Sequence, residues 1–181
     1  VLTQSLESGK NLLKWGVNKD RIKQYRYWID PNKFNSKKTT SHQKFTVIFV
    51  SRLILIKGTR IVLKLAKQIP KIKFIMIGTG PESEFIKKNI TPNLDFVGKV
   101  NNDQLLDYYS KADVFIQPAL YKEGFTRTIM EAVSSGLPVV ASNLGTIPEI
   151  VDPSVSILVK PTVINFKKVL NKLYKNPNIL K

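Results

Sequence analysis

The sequence predicts an α/β domain built on a doubly wound parallel sheet. Three observations carry this reading. From residue 45 onward, strand-like and helix-like segments alternate about six times. Several of the strand-like segments are continuous apolar runs, as in a sheet covered on both faces. Gly and Pro fall at the ends of those runs, where tight turns are needed.

The first sheet strand is FTVIFV at 45–50, rich in β-branched and aromatic residues. A helix follows over 58–68, from the helical spacing of Ile61, Val62, Leu65, Ala66 and Ile69. Pro70 ends it. The run KFIMI at 73–77 is the second strand, closed by GTGP at 78–81, and Pro81 suits the first turn of the next helix. LDFV at 94–97 is a short strand ending at Gly98. Asn102 or Asp103 would cap a helix reaching about Lys111. DVFIQ at 113–117 is the next strand, stopped by Pro118. A helix over 126–135 ends against Gly136, and LPVVA at 137–141 is the fifth strand. Residues 156–159 form a weaker strand, and 165–174 a closing amphipathic helix. Ligands of such sheets bind outside the carboxyl ends of the strands, so chemistry is expected just after Val50, Ile77, Val97, Gln117 and Ala141.

Residues 1–44 depart from this rhythm. VLTQ at 1–4 resembles a strand end, 5–15 a helix, 22–29 an extended connector and 32–44 a polar loop. The chain opens on Val1 and its first segment reads like the middle of a protein. The expected division is therefore 1–44 as an interdomain connector with the end of an upstream domain, and 45–181 as the sheet domain.

Composition narrows the chemistry. With no Cys, disulfides, thiolate metal sites and a cysteine nucleophile are excluded. A lone His, His42, rules out a His-rich metal site within the chain, and no metal is expected. No run of about 18 apolar residues marks a membrane span. The net charge of +16 is uneven: residues 1–90 carry 19 Lys or Arg against 5 Asp or Glu, and 91–181 carry 10 against 8. Charge of this size draws a protein towards anionic lipid or nucleic acid, although solvated helix surface accounts for much Lys of this kind.

Two segments stand out at the predicted strand ends. After the first strand, Arg52 and Lys57 lie five positions apart, with Gly58 at the helix start. Arg offers a fork to phosphate oxygens, Lys a mobile point charge, and a helix N-terminus adds backbone donors. After the fourth strand, Glu123 and Glu131 lie eight positions apart, one in a loop and one about two turns into a helix. Glu131 interrupts an apolar stretch, where burial without a partner would be costly. Hydroxyls of a ligand would satisfy it, and so would Arg127 at the i, i+4 spacing. The N–H groups of Thr126 or Thr128 at the helix start could hold an anion.

In this order, several short motifs resemble the C-terminal domain of group 1 glycosyltransferases, family four of the two-domain GT-B fold. They are Arg52 with Lys57 and Gly58, GTGP at 78–81, FVGKV at 96–100, ADV at 112–114 and the Glu123–Glu131 element. GLPVVA at 136–141 and Gly145 before Pro148 and Glu149 complete the series. Residues 1–34 are similar to that family's interdomain connector. The resemblance implies a Rossmann-like domain that binds a nucleoside-diphosphate sugar as co-substrate and transfers the glycosyl group, with retention, to an acceptor hydroxyl.

By this likeness, Arg52 and Lys57 neutralise the donor diphosphate. Glu123 sits near the donor sugar, and Glu131 accepts from the ribose hydroxyls. Phe125, Thr126, Arg127 and Thr128 cradle phosphate or sugar, while Gly78 and Val100 lie beside the nucleotide. No cofactor is implied. A glycan or lipid-linked acceptor would be held by an N-terminal domain. The likeness and charge together suggest a cytoplasmic protein at the inner face of an anionic membrane. Thr126 stands where the family often has Gly or Pro, a departure that bears on which sugar the pocket takes. A basic nucleic-acid-binding module, or a GT-B enzyme of another reaction such as a sugar epimerase or phosphorylase, are the alternatives. The aromatics lie inside apolar runs rather than in a base-stacking pattern, so no nucleic-acid partner is expected.

Overall fold

The computed structural model describes residues 1–25, 30, 34, 44–122, 124 and 126–180. A two-residue strand, β1 (Leu2–Thr3), pairs in parallel with β2 (Lys23–Gln24), and helix α1 (Leu6–Lys14) lies between them. The main sheet has six strands: β3 (Thr46–Val50), β4 (Lys73–Ile77), β5 (Leu94–Gly98), β6 (Val114–Gln117), β7 (Val139–Ser142) and β8 (Ser156–Val159). All are parallel, in the order β5-β4-β3-β6-β7-β8. The expected strands are all present, with bounds shifted by two residues at most. The strand order reverses between β3 and β6, and this switch point is where a crevice opens in doubly wound sheets.

Alternate residues of each strand feed two separate cores. Val47, Phe49, Phe74, Met76 and Val114 pack under α2 (Thr59–Gln68), α3 (Ser83–Lys88) and α7 (Val163–Lys175). Ile48, Val50, Ile75, Ile77 and Phe115 pack under α4 (Asn102–Ser110), α5 (Arg127–Ser134) and α6 (Ile147–Ile150). A strand that is apolar at every position is what two covered faces require.

The structure corrects several local readings. The cap of α4 is Asn101, one residue earlier than expected, and it forms a reciprocal capping box with Gln104. Pro81 precedes α3 rather than opening it, because the first helical residue is Ser83. Leu137 and Pro138 lie ahead of β7, since Pro cannot donate to the ladder. Helix α6 was not foreseen; its four residues sit within a segment that carries turn signals. Of the expected connector, Lys23–Gln24 is strand, while 26–29 and most of 32–44, His42 included, lie outside the described residues.

Glycine fixes the geometry of the switch point. Gly58 has φ +80°, and a Cβ there would stand 1.9 Å from the carbonyl oxygen of Pro118. The loops after β3 and β6 therefore touch through backbone, and Leu120 N donates to Ile56 O at 2.8 Å. Gly78, at φ +135°, is equally confined: a Cβ would meet Ser51 O at 1.8 Å. Gly58→Ala incurs about 1–2 kcal/mol for the left-handed backbone alone, before the clash. The expected outcome is a melting temperature lower by at least about 2 °C in thermal unfolding. An unchanged melting temperature would contradict the contact.

Candidate functional site

Because every strand of the main sheet runs the same way, residues that follow β3, β4, β5 and β6 emerge at one edge. This brings together the loops that carry Arg52 and Lys57, Gly78, Val100, and 126–128. Ser51 N donates to Ile77 O at 3.1 Å and Leu53 N to Thr79 O at 2.9 Å, so the chain on both sides of Arg52 is laced to the end of β4. Arg52 itself is exposed. A 3-10 turn, Leu55–Lys57, carries Lys57, and Gly58 N closes it on Leu55 O at 2.9 Å. Helix α2 then starts at Thr59, its N-terminus towards this edge. Gly78 N donates to Gly98 O at 2.8 Å, tying the ends of β4 and β5. Val100 follows, partly buried against the core beneath α4 and α5.

Beyond β6 the loop leads into α5. Thr126 is the N-cap residue but makes no side-chain cap bond, which leaves the first N–H groups of the helix to another acceptor. Thr146 Oγ1 donates to Gly124 O at 2.7 Å, holding the loop from the far side. Arg127 is exposed and Thr128 half-buried. Glu123 and Phe125 lie outside the described residues.

Glu131 is 5% exposed. Its partners are Tyr109 of α4, whose hydroxyl donates to Oε2 at 3.2 Å, and Arg127, 3.5 Å from Oε1. The i, i+4 alternative for Glu131 is thus present, and Tyr109 is a partner that sequence spacing did not reveal. Tyr109 reads as an ordinary core aromatic until α4 and α5 are seen side by side. Burial raises the carboxyl above its ordinary value of 4.5, against the lowering effects of Tyr109 and Arg127. Burial and the nearby carboxylate raise the Tyr109 phenol well above 10, so it stays a neutral donor.

A raised carboxyl binds more protons in the folded than in the unfolded chain, so stability falls as pH rises from about 4.5 through the raised value. Below that window Glu131 is neutral in both states and costs nothing. Glu131→Gln should remove this slope and melt no lower than the parent at neutral pH, measured by thermal unfolding across pH. A variant less stable at neutral pH would show that the ionised carboxylate supports the fold.

The turn at 145–149 also acquires a physical role. Glu149 Oε2 accepts from Leu6 N at 2.8 Å, satisfying an end N–H of α1. Glu7 pairs with Lys122, next to Glu123 in sequence. A cavity of about 430 Å³ lies between α1 and Glu149, lined also by Lys10, Asn11 and Lys14. These contacts seat the connector against the loops at the sheet edge. Among the described residues no cluster of side chains suits a metal ion, and no helix is long and apolar enough to cross a membrane.

Comparison with known proteins gives a consistent picture. The family model described as glycosyl transferases group 1 matches residues 31–181. Sulfoquinovosyl transferase SQD2 of Arabidopsis thaliana is 31% identical over 166 residues, which cover 83% of this chain and 32% of that protein. The gpi3 component of the Schizosaccharomyces pombe phosphatidylinositol N-acetylglucosaminyltransferase is 27% identical over 141 residues, covering 73% and 29%. Among solved structures, Anabaena Alr3699/HepE in complex with UDP and glucose superposes with a TM-score of 0.87 at 21% identity, covering 99% of this chain and 54% of that one. The chain thus spans about a third of the length of these sequence relatives and about half of the structural one. The fold is that of the C-terminal, Rossmann-like half of GT-B glycosyltransferases.

Proposed function

The chain belongs to the group 1 glycosyltransferases, and we propose on that premise that its six-stranded domain binds a nucleoside-diphosphate sugar for transfer of the glycosyl group, with retention, to an acceptor hydroxyl. The observation that carries this reading is the meeting of two loops at the switch point. The cationic loop after β3 and the uncapped start of α5 after β6 share one edge, and the β3 loop is joined backbone to backbone at Leu120 to the segment that leads into α5. That is an anion site with two side-chain cations and a free helix end.

In this reading Arg52 and Lys57 take the diphosphate and stabilise the charge that develops as it leaves. Glu131 accepts from the ribose hydroxyls, with Tyr109 and Arg127 holding the carboxylate in place. Gly78 and Val100 flank the nucleotide, and the backbone at 126–128 faces the phosphate or sugar. Glu123, near the donor sugar, and Phe125 are assigned by their match to the family motif. The acceptor is a glycan or lipid-linked hydroxyl held by a further domain of the enzyme.

Calorimetric titration against a panel of nucleoside-diphosphate sugars tests the donor assignment. UDP and UDP-glucose come first, because HepE was solved with UDP and glucose. At least one member should bind, and more weakly at high salt, since the diphosphate contacts are ionic. A panel with no binder would remove the donor site.

A further inference from the structure

Every carboxylate of this chain avoids two long stretches. No Asp or Glu occurs between Asp30 and Glu82, and none follows Asp152. These stretches are far apart in sequence, yet each supplies one of two neighbouring helices, α2 and α7, on the same face of the sheet. Lys167 of α7 donates to Gln68 of α2 at 3.2 Å, and the Lys71 ammonium stands 4.5 Å from the centre of the Tyr174 ring. The opposite face is different: α4, α5 and α6 carry Asp103, Asp107, Glu131 and Glu149. A Lys-rich composition alone would not leave two neighbouring helices without a single carboxylate.

Helical spacing sharpens the pattern. Lys64 and Lys67 lie on the outward stripe of α2, opposite Val62 and Leu65 in the core. Lys168, Lys172 and Lys175 form one stripe of α7, opposite Phe166, Leu170 and Leu173. Lys64, Lys67, Lys168, Lys172 and Lys175 are exposed, and none has a carboxylate partner among the described residues. The carboxylates bordering this face are already engaged: Glu82 by Arg60 and Glu84 by Lys87. At the start of α7, Ile164 is 78% exposed.

We propose that the paired outer faces of α2 and α7 dock on an anionic phospholipid bilayer. Two adjacent helices present one cationic surface, which suits a plane of lipid phosphates. Exposed Ile164, at its margin, suits the boundary below the headgroups. The outer stripes offer no aromatic ring for base stacking, which favours lipid over single-stranded nucleic acid. Docked this way, the sheet lies parallel to the bilayer and its carboxyl edge opens along the membrane surface. The docking rests on the charge distribution and is independent of the donor assignment.

Co-sedimentation of the 181-residue chain with lipid vesicles tests it. Vesicles of phosphatidylcholine alone should bind little. Vesicles that include phosphatidylglycerol should bind strongly at low salt and release the protein at high salt. The variant K64Q/K67Q/K168Q/K172Q should bind the anionic vesicles at least about tenfold more weakly. A matched variant, K10Q/K14Q/K19Q/K23Q, loses as many charges elsewhere and should stay within about twofold of the parent. Thermal unfolding shows that both variants fold. Equal losses in the two variants would make net charge the cause and overturn the assignment. So would failure to bind anionic vesicles, or release from them by substoichiometric RNA.

Discussion

Replacing Lys57 with Ala is expected to lower the turnover of glycosyl transfer by about 10²–10³, with a small change in KM. The enzyme assayed is the one in which these residues stand beside an acceptor-binding half. The argument starts from the turn. Leu55–Lys57 is held by Gly58 N on Leu55 O and by Leu120 N on Ile56 O, so its backbone is fixed at the switch point. The ammonium is then carried on a stem whose root is tied by these two backbone bonds. When the glycosidic bond breaks, negative charge grows on the diphosphate oxygen, and a cation rooted beside it gains more from the transition state than from the intact donor. Loss of such a contact appears in turnover. Glu131→Ala should behave differently, because ribose hydroxyls change little during the reaction: KM should rise while turnover is kept. Steady-state kinetics of both variants decide. If Lys57→Ala raises KM and spares turnover, Lys57 supplies uniform binding and the division of roles is wrong.

The strands were legible in the sequence because burial on both faces leaves almost no polar position to blur them, as in Thr46–Val50 and Lys73–Ile77. The sheet edge was legible for the same reason: once strand ends are known, a parallel sheet puts Arg52, Gly78, Val100 and Thr126 on one side. Side-chain partners across elements were not. Tyr109 meets Glu131 only because α4 and α5 pack on the same core, and no spacing rule links residues 22 positions apart. Counting charge by halves of the chain also concealed the cationic face. Its two helices lie in different halves, and among the acids that offset α7 in the count Asp103, Asp107, Glu131 and Glu149 sit on helices of the opposite face.

The 181 residues alone should bind a nucleoside diphosphate and transfer no sugar. All the proposed donor contacts come from 51–131, within a domain that has its own two cores and all six strands of its sheet. Binding therefore needs nothing outside the chain. Transfer does, because the acceptor hydroxyl must be held against the anomeric carbon, and such orientation is worth about 7–11 kcal/mol of barrier. This chain covers 54% of HepE, and every group proposed for the site serves the donor rather than the acceptor. With one side open to water, the charges of Arg52 and Lys57 also act in a higher dielectric, which weakens their hold on the diphosphate. Binding should accordingly be modest and should fall with salt. Titration with UDP and with UDP-glucose, beside an assay for transfer of radiolabelled sugar to added acceptors, separates the two halves of the prediction. Robust transfer by these residues alone would refute the need for a second, acceptor-holding domain. Absence of any nucleotide binding would instead place the fault in the donor assignment itself.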